Sequence, residues 1–292
     1  MKYFVAKFKV QVKSELMQPC RELIADGAAQ AGFESFEETP DGVNGYVQDA
    51  LFNKKALDEL ILNFHIGEAR IDYTLENIDN KDWNESWESC GFSPIMIDNN
   101  ILVFDARHTT SNKILATLPH FDNLISIGIE PHQAFGTGTH ETTQMMISSL
   151  LSLQQKDRQV LDCGCGTGIL GIAAKKLGAR RVVGYDIDEW SVENTRRNAQ
   201  LNGIDDFDVH LGNIHVLTHI PGVFDVVLAN INRNTLLADM PLMRSVMNKC
   251  GWLIISGFYT KDVDILEEQA GRLGLHRSAL KTNDSWACLT LH

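Results

Sequence analysis

Val160-Leu161-Asp162-Cys163-Gly164-Cys165-Gly166-Thr167-Gly168-Ile169-Leu170-Gly171 carries the strongest structural signal in the chain. An apolar strand closes on Asp162, and glycines follow at every second position. Ile169–Leu177 then has helical spacing and stops at Gly178. Glycines between a strand and a helix let the backbone turn tightly and approach a ligand at the carboxyl edge of a sheet. The same strand-and-helix alternation continues downstream. Arg181–Tyr185 is an apolar strand ending at Asp186, and Glu189–Asn202 is helical up to Gly203. Short strands are expected at Phe207–His210 and Phe224–Leu228, a helix at Leu236–Met247, a strand at Trp252–Ser256, a helix at Asp262–Arg272, and two closing strands after it. Alternation of this kind means a largely parallel sheet covered on both faces, an α/β fold of Rossmann-like type.

The loop fits two classes of ligand. Gly166-Thr167-Gly168-Ile169-Leu170-Gly171 satisfies the GxGxxG spacing of dinucleotide sites, so NAD has to be weighed. Asp162 followed by Gly164, Gly166 and Gly168 is instead the acidic-GxGxG arrangement of methyltransferase motif I, whose ligand, S-adenosylmethionine, has no pyrophosphate to seat on a helix N-terminus. Asp186 ends the next strand 22 residues after Gly164 and can accept both ribose hydroxyls, a feature both ligands share. Phe224-Asp225-Val226-Val227-Leu228-Ala229-Asn230 delivers a polar side chain to the same sheet edge, which hydride chemistry does not need. These features together favour the methyl donor. The alternatives are that the glycines form only a tight turn and that Asp186 only caps the helix after it.

Composition narrows the rest. The 292 residues are 44% hydrophobic and 22% charged, enough for two domains with proper cores. No stretch reaches the ~18–20 apolar residues of a membrane span. Met1–Val10 alternates apolar and basic residues, unlike a secretory signal, so a cytoplasmic location is expected. The six cysteines include no CxxC pair, so neither a metal site nor a disulfide framework is implied. A net charge of −12 argues against tight nonspecific nucleic-acid binding. Residues 1–80 hold 8 Lys and Arg against 14 Asp and Glu. That acidity serves either solubility or the steering of a basic partner.

The front of the chain reads strand (Tyr3–Val12), helix (Glu15–Ala31, with apolar Leu16, Leu23, Ile24 and Ala28), two strands around the Pro40-Asp41-Gly42 turn, helix (Lys54–Phe64) and strand (Arg70–Leu75). That βαββαβ order suits a ferredoxin-like α+β domain over residues 1–79. Residues 80–91 are expected to form a linker helix, with Trp83 and Trp87 on one face as anchors or, alternatively, as a stacking site. A catalytic domain then fills 92–292.

Ala134-Phe135-Gly136-Thr137-Gly138-Thr139-His140-Glu141-Thr142-Thr143 makes the pattern specific. That run, the LDCGCGTGIL loop, GYDIDEW and VVLANI together resemble the PrmA family, bacterial class I methyltransferases of large-subunit ribosomal protein eleven. The DWNESW linker and a small front domain also fit. The resemblance spans nearly the whole chain and is densest over 130–260. It implies S-adenosylmethionine as cofactor and methylation of lysine ε-amines and the N-terminal α-amine of the ribosomal protein. The 1–79 domain would grip that substrate, with the linker helix swinging it over the catalytic domain. Cofactor contacts implied by motif are Thr143 at the methionine end, Gly164 in the loop, Asp186 at the ribose and Asn230 beside the reacting methyl. The chain departs from the family in one motif, with Pro131-His132 where Pro-Gly is usual.

Asn230 is the expected catalytic residue, orienting the amine by accepting one of its N–H bonds. Ile231-Asn232 follows it in place of the Pro-Pro-aromatic that clamps planar amides and bases, which points to an aliphatic amine. His132 and His140 lie near the site, and His140 is either a base or a loop-ordering residue. Asn213 either contacts adenine or forms a turn. Other functions compatible with the motifs are methylation of another protein or of a small amine, an NAD-dependent oxidoreductase, and a noncatalytic ribosome-assembly factor.

Overall fold

A computed structural model describes residues 3–29, 31–33, 35–48, 51–62, 64, 69–78, 91–115, 124–131 and 138–292. The chain divides into two compact units, Met1–Trp83 and Asn84–His292. The linker segment with Trp83 and Trp87, and His132, lie outside the described residues.

In the first unit the strands are β1 (Tyr3–Gln11), β2 (Ser35–Thr39), β3 (Gly42–Gln48) and β4 (Arg70–Ile78), with helices Ser14–Ala29 and Lys54–Leu62 between them. The antiparallel sheet has the order β2-β3-β1-β4, a ferredoxin-like arrangement. Its core joins alternate residues of β1, Ala6, Phe8 and Val10, to Cys20, Ile24 and Ala28 of the first helix. Those three helix positions are four apart and share one face. Leu23 was expected on that face, but it lies 49% exposed, because the buried stripe runs through Cys20 instead.

The second unit opens with a small sheet that the sequence pattern did not show: β5 (Ile95–Ile97), β6 (Ile101–Asp105) and β7 (Ile125–Ile129). Its central strand is buried at every position, so it has no two-residue alternation to detect. The main sheet follows: β8 (Gln159–Cys163), β9 (Arg181–Asp186), β10 (Phe207–Leu211), β11 (Phe224–Asn230), β12 (Met247–Tyr259), β13 (Arg277–Asn283) and β14 (Trp286–Leu291). The order is β10-β9-β8-β11-β12-β14-β13, parallel from β10 to β12, with β14 antiparallel to both neighbours. This is the Rossmann-like class I methyltransferase sheet.

Both faces are buried, which is why the strands read as continuous apolar runs. Val160, Val226 and Ile254 face one core with Ile172 and Ala173 of helix Ile169–Lys176. Leu161, Val227 and Leu253 face the other, with Leu236 and Met240 of helix Arg233–Ser245. Truncating a fully buried leucine such as Leu161 to alanine destabilises by about 2–5 kcal/mol. The strand order reverses at β8, whose neighbours are β9 and β11. That reversal opens a crevice at the carboxyl ends of these three strands.

Candidate functional site

The glycine loop sits at that crevice. Gly164, Gly166 and Gly168 have φ of 68°, 55° and 80°, left-handed values that a side chain disfavours. The Gly164 and Cys165 N–H groups both donate to the Tyr185 carbonyl, at 2.9 and 3.0 Å, pinning the loop to β9. Cys163 and Cys165 are buried, and burial pushes both thiols well up, so they are inert loop and core residues.

Two carboxylates flank the loop, one bonded to it and one to the helix that follows. Asp186, at the end of β9, accepts from Gly166 N–H at 3.0 Å through one oxygen and from Asp188 N–H at 3.1 Å through the other. A carboxylate has about four lone-pair sites, so acceptor capacity remains for an incoming hydroxyl. Burial raises this carboxyl above the usual range, while backbone donors at Gly166, Asp188 and Ile187 pull it back down. Asp162, 1% exposed, accepts from Gly171 N–H at 2.9 Å, and its second oxygen has no partner among the described residues. Burial pushes it up to about 7, against that backbone donor, and the nearby Asp186 adds to the rise.

The third strand end carries Asn230. Its side-chain nitrogen donates to Thr142 Oγ1 at 3.2 Å and Thr143 Oγ1 at 3.4 Å. His140 fixes the direction of this chain of bonds. As N-cap of helix Glu141–Leu151, its Nδ1 accepts from Thr142 N–H at 3.3 Å, so the ring proton is on Nε2. Thr142 Oγ1 lies 2.8 Å from that same Nδ1 and must donate to it. The Thr142 lone pairs then receive the Asn230 N–H, and the Asn230 carbonyl oxygen is buried and without a partner among the described residues. Nearby, the His140 ring meets the edge of Trp286 at 4.9 Å, and Trp286 stacks on Tyr259 at 4.4 Å.

The crevice therefore gathers Gly164, Gly166, Gly168 and Asp186 at one end and Asn230 with Thr143 at the other. Thr143 is 1% exposed, its hydroxyl turned to Asn230. His140 acts as a helix cap with Nδ1 committed. Asn213 caps a turn, accepting from His215 N–H at 3.1 Å. Thr142 was missed although it adjoins Thr143 in the same motif. The available signal was the His140-Glu141-Thr142 order at the start of the helix, of which only His140 was weighed. Asn198 and Thr195, which touch the loop from helix Glu189–Leu201, were also missed.

A carboxylate with acceptor capacity to spare, a glycine loop and a buried amide oxygen without a partner among the described residues follow one another along the sheet edge, and that set fits S-adenosylmethionine and an amine. The comparisons agree with that chemistry. The family model described as "Ribosomal protein L11 methyltransferase (PrmA)" matches residues 21–292. The ribosomal protein L11 methyltransferase of Phocaeicola vulgatus is 39% identical over 275 residues, covering 93% of this chain and 94% of that one. Its counterpart from Bacteroides thetaiotaomicron is 39% identical over 293 residues, covering 99% of both chains. Among solved structures, a ribosomal protein L11 methylase from Lactobacillus delbrueckii subsp. bulgaricus superposes with a TM-score of 0.62 at 28% identity, covering 69% of this chain and 98% of that one. On a match that runs through the loop, the Thr142-Thr143 helix and Asn230 alike, this chain belongs to the ribosomal protein L11 methyltransferase (PrmA) family.

Proposed function

We propose that the chain transfers methyl groups from S-adenosylmethionine to ribosomal protein L11, on lysine ε-amines and the N-terminal α-amine. The observation that carries this reading is the buried Asn230 carbonyl at the end of β11, an acceptor with no partner among the described residues. Bound S-adenosylmethionine supplies an electrophilic methyl on a positive sulfonium. Asp186 takes the ribose hydroxyls, the Gly164–Gly168 loop lies against the nucleoside, and Thr143 serves the methionine end. Asn230 accepts one N–H of the amine and so turns the nitrogen lone pair toward the methyl. Such alignment supplies much of the rate in an in-line displacement.

The amine must arrive neutral, and a free lysine, pKa about 10.4, is mostly ammonium at neutral pH. Desolvation in the crevice and the sulfonium charge both favour the neutral form. His140 is not needed as a base, since its Nδ1 caps the helix. Residues 1–79 are the substrate-gripping domain in this reading, joined through 80–91 to the catalytic domain. Direct nucleic-acid binding is not part of it. Among the described residues, no helix is long and apolar enough to cross a membrane, and a cytoplasmic location suits a ribosomal substrate.

Intact-mass spectrometry of L11 incubated with enzyme and S-adenosylmethionine tests the reading. Mass gains in methyl steps are expected, mapping by fragmentation to lysines and the N-terminus. An unmodified L11, from an enzyme shown to bind the cofactor, would remove the substrate assignment.

A further inference from the structure

Asn194, Asn198 and Asn202 stand four residues apart along helix Glu189–Leu201 and its C-cap. Each step of such a column climbs about 6 Å, close to the ~6.6 Å between alternate residues of a strand. β7 hydrogen-bonds to β6 on one edge only, and its other edge meets this column. Asn202 accepts from Gly128 N–H at 3.0 Å and donates to the Gly128 carbonyl at 2.7 Å. Two strand residues on, Asn198 accepts from Glu130 N–H at 2.9 Å, and Asn194 donates to the Glu130 carbonyl at 3.1 Å. The asparagines thus complete the strand edge in place of a neighbouring strand.

Asn198 does something its neighbours do not. Fully buried, its side-chain nitrogen also donates to the Thr167 carbonyl, inside the glycine loop, at 2.9 Å. Three residues before it, the buried Thr195 hydroxyl donates to the Gly166 carbonyl at 2.8 Å. The loop is pressed so tightly there that a Cβ on Gly168 would come within 2.8 Å of Thr195 Cγ2. Two consecutive loop carbonyls are therefore drawn back into the helix. Because peptide units are planar and trans, that sets the orientation of both peptides.

We propose that Asn198 and Thr195 are positioning residues that hold the glycine loop in its cofactor-binding form. Asn198 does so while bonded to Glu130, which begins the segment leading to the Thr142-Thr143 helix. One buried amide thereby sets the loop against the strand that feeds the other end of the crevice. The inference rests on the loop being the S-adenosylmethionine site.

Calorimetric titration of the full chain with S-adenosylhomocysteine, paired with thermal melts, tests it. Asn198→Leu and Thr195→Val should weaken binding by about tenfold or more, as expected when a preorganised site is loosened. Thr195→Ser, which keeps the hydroxyl, should restore it. Asn202→Leu removes the same kind of strand-edge contact but none to the loop. It should lower the melting temperature and leave affinity within about twofold of the parent. If Asn198→Leu fails to fold, the Thr195 pair decides. Unchanged affinity in Thr195→Val, or equal weakening in Asn202→Leu and Asn198→Leu, overturns the proposal. Asp186→Ala in the same series separates the two readings. Parent affinity in that variant means the site lies elsewhere, whereas weakening there with none at Thr195 or Asn198 confines the failure to this inference.

Discussion

Asn230 Nδ2 lies 3.2 Å from Thr142 Oγ1, while Asn230 Oδ1 is buried with no partner among the described residues. A buried carbonyl without a hydrogen bond destabilises a protein by about 1–3 kcal/mol. An amine N–H supplied by substrate would relieve that penalty.

Thr142 is then an orienting residue for Asn230. Thr142→Val removes the hydroxyl between His140 and Asn230 and lets the amide rotate. A fall in single-turnover rate on the order of tenfold is expected, about the worth of one hydrogen bond. Thr142→Ser should keep most of the rate. Equal rates in the valine and serine variants would detach Thr142 from the reaction.

Asp186→Ala removes the charged acceptor assigned to the ribose. Hydrogen bonds to charged groups contribute about 1.5–3 kcal/mol, so S-adenosylhomocysteine should bind at least about tenfold more weakly. The two N–H groups that Asp186 now accepts would also lose their partner, and thermal melts must accompany the titration.

Asp162 predicts a pH dependence of stability. Its carboxyl, pushed up to about 7, stays protonated where an unfolded aspartate, about 3.9, has already ionised. The native state therefore holds the extra proton, and this group's contribution falls as pH rises from about 4 to about 7, by no more than about 4 kcal/mol. Asp162→Asn mimics the protonated form and does not titrate. Its stability relative to the parent should be greater at about pH 8 than at about pH 5, read from melts in matched buffers. A pH-independent difference would contradict the assignment.

Removing residues 1–79 should leave cofactor affinity near that of the full chain, because every residue assigned to the cofactor lies in Asn84–His292, a unit with its own cores. Methylation of intact L11 should fall on the order of 10²-fold, since binding energy remote from the reacting atoms is lost. Full-rate methylation by the truncated enzyme would take substrate recognition away from the front domain.

The main sheet was legible because its turns carry clear signals: Gly164 follows a strand, Gly178 and Gly203 stop helices, and Asp162, Asp186 and Asn230 mark the sheet edge. Element lengths were less so. β12 was expected over Trp252–Ser256 and runs from Met247 to Tyr259, because exposed Lys249 and Cys250 and then Gly251 break the apolar pattern on one side and Gly257 on the other. The asparagine column escaped notice for a related reason. Asn194, Asn198 and Asn202 look like a solvated helix face, and only the strand edge of β7 shows that the first two are buried and the third half-buried. Neighbouring residues were also easier to name than to connect. Thr143 was expected in the site, while its partner Thr142, which sets Asn230, depends on a cap geometry that no spacing reveals.

Asn230→Ala, followed by single-turnover methyl transfer to L11 with cofactor affinity and melting temperature measured on the same sample, tests the central claim most directly. An interaction that tightens as the lone pair attacks acts on the rate at saturation. The account predicts a folded variant that binds S-adenosylmethionine nearly as the parent does and transfers methyl on the order of 10²-fold more slowly. A folded variant with an undiminished single-turnover rate would contradict it and remove Asn230 from the mechanism.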